Sequence, residues 1–371
     1  MDLISTIQDL IRFRTETGNA AEISKAAEYI KNLFTGTSAM VDIFQSTASP
    51  VIFIRNTDTL DFDVIILGHI DVVPAEDKLF EPLLKDGKLY GRGTLDMKSF
   101  AAVALHSMAH VVSHNLPLKF GVILSTDEEK GSLSTESFLE AYPNIKAKIV
   151  LDNDVGGDIT KIITKCKNPV FVKLIAKGKE AHGSTPWDGI DANELLFKTW
   201  QNIRRFYPYY AKDLPQPQDT WFDTVHFALI SGGQVSNVIS NYAEALLDFR
   251  LTENSSLENL CHNLDKCLER GVSYKIVSSS TPVVMDEANP YILDYKRFAE
   301  NIMEQTIEFE HIGGATDSRA FAVKGSTVIM HSGTGEGMHA SDEYVDLKSV
   351  EQIADIQIKF LEHLAHNKSG L

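Results

Sequence analysis

Short apolar runs rich in β-branched residues recur through the first 150 residues, and each stops at a polar turn. Residues 51–54, 64–67, 120–124 and 148–151 are such runs. Helical patterns lie around them. Leu3, Ile4, Ile7, Leu10 and Ile11 fall at helical spacing, and residues 20–34 and 97–112 read as two further helices. Strands alternating with helices predict an α/β layered sheet with a largely parallel core. The alternation breaks near Lys167. Residues 170–176, 224–230, 243–251 and 274–277 then read as strands, and 191–206 and 257–269 as helices, with a loop-like block at 207–217. The first pattern resumes with a helix at 291–303, a strand at 327–330 and a final helix at 347–364. The arrangement expected is one α/β domain, residues 1–168 and 282–371, split by an inserted α+β domain at 169–281.

Charge narrows the classes of partner. With 35 Lys and Arg against 51 Asp and Glu, the chain carries −16. Clustered cations are what phosphate backbones and anionic bilayers require, so neither nucleic acid nor a membrane is an expected partner. Three cysteines, Cys166, Cys261 and Cys267, cannot form a disulfide framework. No basic n-region with an apolar stretch opens the sequence, and no apolar run approaches 18 residues. A cytoplasmic protein is the expectation.

The strand ends hold metal-ligand residue types. Residues 64–68 run into His69-Ile70-Asp71, where His69 and Asp71 share a face and Asp71 is placed to orient the imidazole. The glycine-flanked turn from Gly91 to Lys98 delivers Asp96 just before a helix. Strand 120–124 runs into Ser125-Thr126-Asp127-Glu128-Glu129, and strand 148–151 into Asp152-Asn153-Asp154. His339 follows a glycine-rich stretch, Gly333 to Met338. Each alone has an ordinary reading as a capped turn or a solvated face. Their coincidence where α/β sheets place active sites is what points to a metal centre. Oxygen and imidazole donors without thiolate suit catalytic zinc, cobalt or manganese.

Six segments, in order, resemble the dinuclear zinc amidohydrolase and peptidase family. That family includes acetylornithine deacetylase, succinyl-diaminopimelate desuccinylase, aminoacylase, glutamate carboxypeptidase and carnosinase-type dipeptidases. The segments are His69 to Pro74, Gly91 to Lys98, Thr126 to Glu129, Ala181 to Pro186, Gly313 to Arg319, and Met338-His339. The resemblance implies a mixed-sheet metallopeptidase-like catalytic domain with an inserted α+β dimerisation (lid) domain, and a homodimer. It implies two divalent metal ions, zinc first and cobalt or manganese as alternatives. Asp96 would bridge them, with His69 and Asp152 completing one and Glu129 and His339 the other. Glu128 matches the general base, Asp71 the partner of His69, and His182 the oxyanion donor. A cis peptide after the bridging aspartate, here Asp96-Met97, is implied too. Arg250 and Arg319 would hold a substrate carboxylate, assisted by Asn237 and Thr316. The implied reaction is hydrolysis of the amide bond of a small N-acyl amino acid. Leu151-Asp152-Asn153 stands where the deacylases have Gly-Glu-Pro, so a metallo-dipeptidase or exopeptidase is the alternative.

Other signals carry less. His106, His110 and His114 fall at four-residue intervals but lack the glutamate of a His-Glu-x-x-His helix. Gly178 to Thr185 has phosphate-loop spacing without its lysine, and no Gly-x-Ser-x-Gly elbow exists.

Overall fold

A computed structural model describes residues 1–207 and 221–369. Most of the loop expected at 207–217 lies outside the described residues. The chain divides into two compact units. The first holds Met1–Thr164, Met285–Glu310 and Thr316–Leu371, and the second Lys165–Val284 with His311–Ala315.

The first unit is built on a mixed sheet. Its strands run in the order Met40–Gln45, Pro50–Arg55, Phe120–Ser125, Asp61–His69, Lys146–Asp152, Thr327–His331 and Lys161–Cys166. Asp61–His69 is parallel to both its neighbours, and Lys146–Asp152 is parallel to Thr327–His331. The outer pairings are antiparallel. Central strands of such a sheet are covered on both faces, which explains their unbroken apolar runs. Along them, alternate residues go to opposite sides. Ile52, Ile54, Val64, Ile66, Val122 and Leu124 join one core with Phe100 and Leu105 of the helix Lys98–Ser113. Phe53 faces the other way, its ring 5.3 Å from Phe138 of the helix Leu133–Ala141. The parallel strands therefore end together at one edge, and that edge carries His69, Glu128, Asp152 and Asp154. A four-stranded sheet of short strands, which the sequence did not suggest, brings Gly335–Glu336 and Tyr344–Asp346 beside Lys88–Tyr90.

The second unit is an antiparallel sheet in the order Thr224–Gly232, Tyr242–Leu251, Asn168–Lys177, Val272–Ser279. Val170, Val172, Leu174 and Ala176 alternate inward, against Leu196 of the helix Ala192–Ile203 and Leu260 and Leu264 of Leu257–Cys267. Among the described residues, no helix is long and apolar enough to cross a membrane.

Candidate metal centre

The strand Asp61–His69 ends on a histidine only 1% exposed. Its Nδ1 lies 3.0 Å from the Asp71 backbone carbonyl and 3.4 Å from the Asp71 carboxylate. A carbonyl only accepts, so Nδ1 carries the hydrogen there and Nε2 turns to the cleft. The Asp71 carboxylate accepts from Thr17 Oγ1 at 2.8 Å and from the backbone N–H groups of Glu128 and Glu129 at 3.1 and 3.3 Å. One buried aspartate thus orients the imidazole and fixes the turn bearing both glutamates.

Asp96 stands at the centre. His69 Nε2 is 3.0 Å from its Oδ1, and His339 Nε2 is 3.0 Å from its Oδ2. The Asp96-Met97 peptide is cis. His339 sits at φ 63°, in the left-handed region, and its Nε2 is also 3.0 Å from Glu129 Oε2. The donor atoms form two groups sharing Asp96, one with His69 and Asp154 and one with Glu129 and His339, each within 4.8 Å.

Electrostatics follow from this crowding. Burial pushes Glu128 up to about 7, with the charges of Asp317 and Asp96 adding to it and His69 opposing. Burial and the Asp96 charge likewise bring Glu129 up to about 7. Burial, then the charge of Asp96, raises Asp154 well above the usual carboxylate range. Asp96 goes the other way: burial raises it, but the two imidazoles prevail and hold it low. His69 is raised because its bonds to Asp71 and Asp96 outweigh burial. His339 is raised chiefly by its bond to Asp96.

These residues fit two divalent cations. The donors are imidazole nitrogen and carboxylate oxygen, the set that suits zinc, cobalt and manganese. Glu129 Oε1 is buried without a hydrogen-bond partner. Buried carboxylates outnumber the cations beside them, and burying unpaired charge is costly without a counter-ion.

The structure brings together six of the residues singled out from the sequence: His69, Asp71, Asp96, Glu128, Glu129 and His339. A seventh, Asp152, lines the same pocket as His69 and Glu128. Asp152, expected to complete the His69 side, has a carboxylate that accepts the Thr316 hydroxyl and, at 2.9 Å, the Asp154 backbone N–H. Asp154 also comes near, its Oδ2 3.8 Å from His69 Nε2. Asp152 closes its strand, and the turn beyond it carries Asp154 over the cleft. Thr316, expected to assist a substrate carboxylate, gives its hydroxyl to Asp152. Arg319 lies 3.7 Å from Asp317.

In the second unit, His182 Nδ1 accepts from the Ser184 backbone N–H at 3.2 Å and lies 2.7 Å from its hydroxyl. Its hydrogen therefore sits on Nε2, the atom an oxyanion would need. Arg250 holds Asp248 through Nε and Nη2 at 2.9 and 3.0 Å, so its fork is already occupied. The Asn237 backbone carbonyl accepts from Gly183 at 2.7 Å. The three spaced histidines stay apart from the metal centre: His110 pairs with Glu362 at 3.1 Å and stacks on His114.

Asp154 joins the cluster around His69 and Asp96 without having been a candidate donor from the sequence. Sequence reasoning also missed Arg92 and Glu343, a buried ion pair at 2.6 Å beside Asp96. Asp154 carried a signal, an aspartate two positions beyond another at a strand end. Glu343 carried none.

Comparison with known proteins agrees with this geometry. The model of the peptidase family M20/M25/M40 matches residues 65–363, well over half of the chain. A succinyl-diaminopimelate desuccinylase from Rickettsia felis is 26% identical, over 96% of this chain and 98% of that protein. Among solved structures, aminopeptidase PepT from Bacillus cereus superposes with a TM-score of 0.80 at 18% identity, over 98% of each chain. A dinuclear metal binding peptidase from Bacillus subtilis gives 0.69 at 14% identity, also over 98% of each. The chain is a member of the peptidase family M20/M25/M40, a family of metal-dependent hydrolases.

Proposed function

We propose that this protein hydrolyses the amide bond of a small N-acyl amino acid, in the manner of the deacetylases and desuccinylases it is similar to. The observation carrying the reading is the shared carboxylate: Asp96 has an imidazole at each oxygen, and Glu128 stands beside it. His69, Asp96 and Asp154 would hold one cation, and Asp96, Glu129 and His339 the other, zinc first and cobalt or manganese as alternatives. Bound there, the cations supply Lewis-acid polarisation and acidify water. Glu128 takes the proton from the attacking water and returns it to the leaving amine nitrogen, and its raised affinity for protons suits both steps. His182, protonated on Nε2, is the proposed donor to the developing oxyanion. Arg319 is the proposed partner of a substrate carboxylate, because its guanidinium is the less committed of the two arginines.

A dipeptidase or exopeptidase is the second reading, favoured by an aspartate, Asp152, where the deacylase pattern has a glutamate. A panel of N-acyl amino acids and dipeptides, assayed with zinc, cobalt or manganese, separates the two. Glu128→Gln should lower kcat by about 10²–10⁴-fold on whichever substrate turns over. Unchanged kcat in that variant would refute the mechanism. Light scattering on the same sample tests the proposed homodimer, which the exposed Leu229 and Ile230 of the second unit support. A mass of one 41.2 kDa chain refutes it.

A further inference from the structure

Arg92 and Glu343 are 3% and 0% exposed. A buried ion pair is poor evidence for stability, since desolvation offsets most of its attraction. Its hydrogen bonds show a more specific role. Glu343 Oε1 accepts the backbone N–H groups of Leu95 and Asp96 at 2.9 and 3.2 Å. Its Oε2 accepts Gly93 N–H at 3.0 Å and Arg92 Nη1 at 2.6 Å. Arg92 Nη2 then donates to the backbone carbonyls of His339 and Ala340 at 3.1 and 3.0 Å. One carboxylate thus cradles the loop that presents Asp96, and the guanidinium joined to it holds the loop that presents His339.

We propose that the Arg92–Glu343 pair is a positioning brace that fixes the distance between Asp96 and His339 and so sets the affinity of the second cation subsite. The inference rests on the two-cation reading above. Neither residue is among the proposed cation ligands. Each acts through the backbone of a ligand, as the partners behind metal ligands do. The two halves of the brace have separable effects. Arg92 contacts the His339 loop, so its loss is confined to the subsite of Glu129 and His339. Glu343 contacts the loop of the shared Asp96, so its loss reaches both. Glutamine cannot replace Glu343, because either placement of its amide sets an N–H group against backbone or guanidinium donors. Lysine cannot replace Arg92, because a single ammonium does not reproduce the fork.

Titration calorimetry of zinc into chelator-stripped full-length protein tests this. Wild type should bind two ions per chain; fewer overturns both the two-cation reading and the brace. Arg92→Lys should weaken one ion by about 10–100-fold and leave the other unchanged. Glu343→Gln should weaken both. In His339→Ala, which retains one subsite, adding Arg92→Lys should change the remaining affinity less than about twofold. Two wild-type affinities in Arg92→Lys, or an equal loss at both ions, overturns the brace, because a merely structural role would not select one subsite. Should Arg92→Lys fail to fold, Glu343→Asp keeps the charge pair on a shorter arm and is expected to weaken both ions. Wild-type affinities in that variant overturn the proposal.

Discussion

The two halves of the metal centre share Asp96 and differ in almost everything else. His69 ends one parallel strand and Asp154 lies two residues beyond the end of another, and the His69 side chain is 1% exposed with its ring held from behind by Asp71. His339 hangs on a loop with its side chain half exposed, and its carboxylate partner Glu129 has an oxygen with no hydrogen-bond partner. One half is set by the packed sheet; the other is assembled from a turn and a loop brought together by the buried pair behind them. A site built on regular elements is held more closely than one built on loops. The expectation is a firmly held first cation and a more exchangeable second one.

Removing the shared group should have the largest effect. Asp96→Asn removes the one carboxylate charge common to both subsites. Metal analysis should fall from about two ions per chain towards none, and turnover by about 10³-fold or more, since each cation supplies several kcal/mol to the transition state. Retention of one ion would mean that the subsites are independent and that the comparison is drawn in the wrong place.

Next in size is the contrast between two aspartates two positions apart. Asp154→Asn should weaken the buried subsite by at least about 100-fold, as loss of a direct donor must exceed loss of a supporting one. Asp152→Asn keeps acceptors for Thr316 and the Asp154 N–H, so it should retain both ions within about tenfold. Calorimetry on the stripped variants reads both. The reverse ranking would make Asp152 the donor, as the sequence motifs imply.

Those two aspartates show how far the sequence could be read. Strand ends and their chemistry were visible because apolar runs stop abruptly at polar residues, and because separate motifs recur in a fixed order. Which aspartate faces the cation was not visible, since residues two apart on a strand share a face and the last strand residue is not marked. Arg92 and Glu343 are separated by 251 positions, and a glutamate after Ser341-Asp342 reads as surface until the fold buries it. The edge strand Met40–Gln45 escaped notice because its burial is only partial, so it lacks an apolar run. The helix Leu133–Ala141 escaped because its apolar positions are few and its neighbours polar.

The smallest effect separates histidines that differ only in their neighbours. His331 is as buried as His69, but its ring bonds to Tyr295 and the Ile159 carbonyl, and the Asp158 charge only weakly opposes burial. Tyr295 donates to its Nδ1 at 3.3 Å, and its Nε2 donates to the Ile159 carbonyl at 2.7 Å. Burial therefore pushes it down to about 4, whereas bonds to Asp71 and Asp96 raise His69 against the same burial. With the folded value below the unfolded one of about 6.5, the unfolded chain binds more protons between the two. The contribution of neutral His331 is fully present above about pH 6.5 and is lost as pH falls towards 4. At pH 5 the loss is about 2 kcal/mol. His331→Gln keeps a donor for Ile159 and removes the titration. Denaturant unfolding of stripped wild type and variant at pH 7.5 and 5 should give a difference between them that narrows by about that amount on acidification. The site carboxylates titrate in both proteins and cancel in that difference, so an unchanged gap would mean that His331 already carries a proton in the fold. Burial alone would then not explain why the metal-centre histidines and this one diverge.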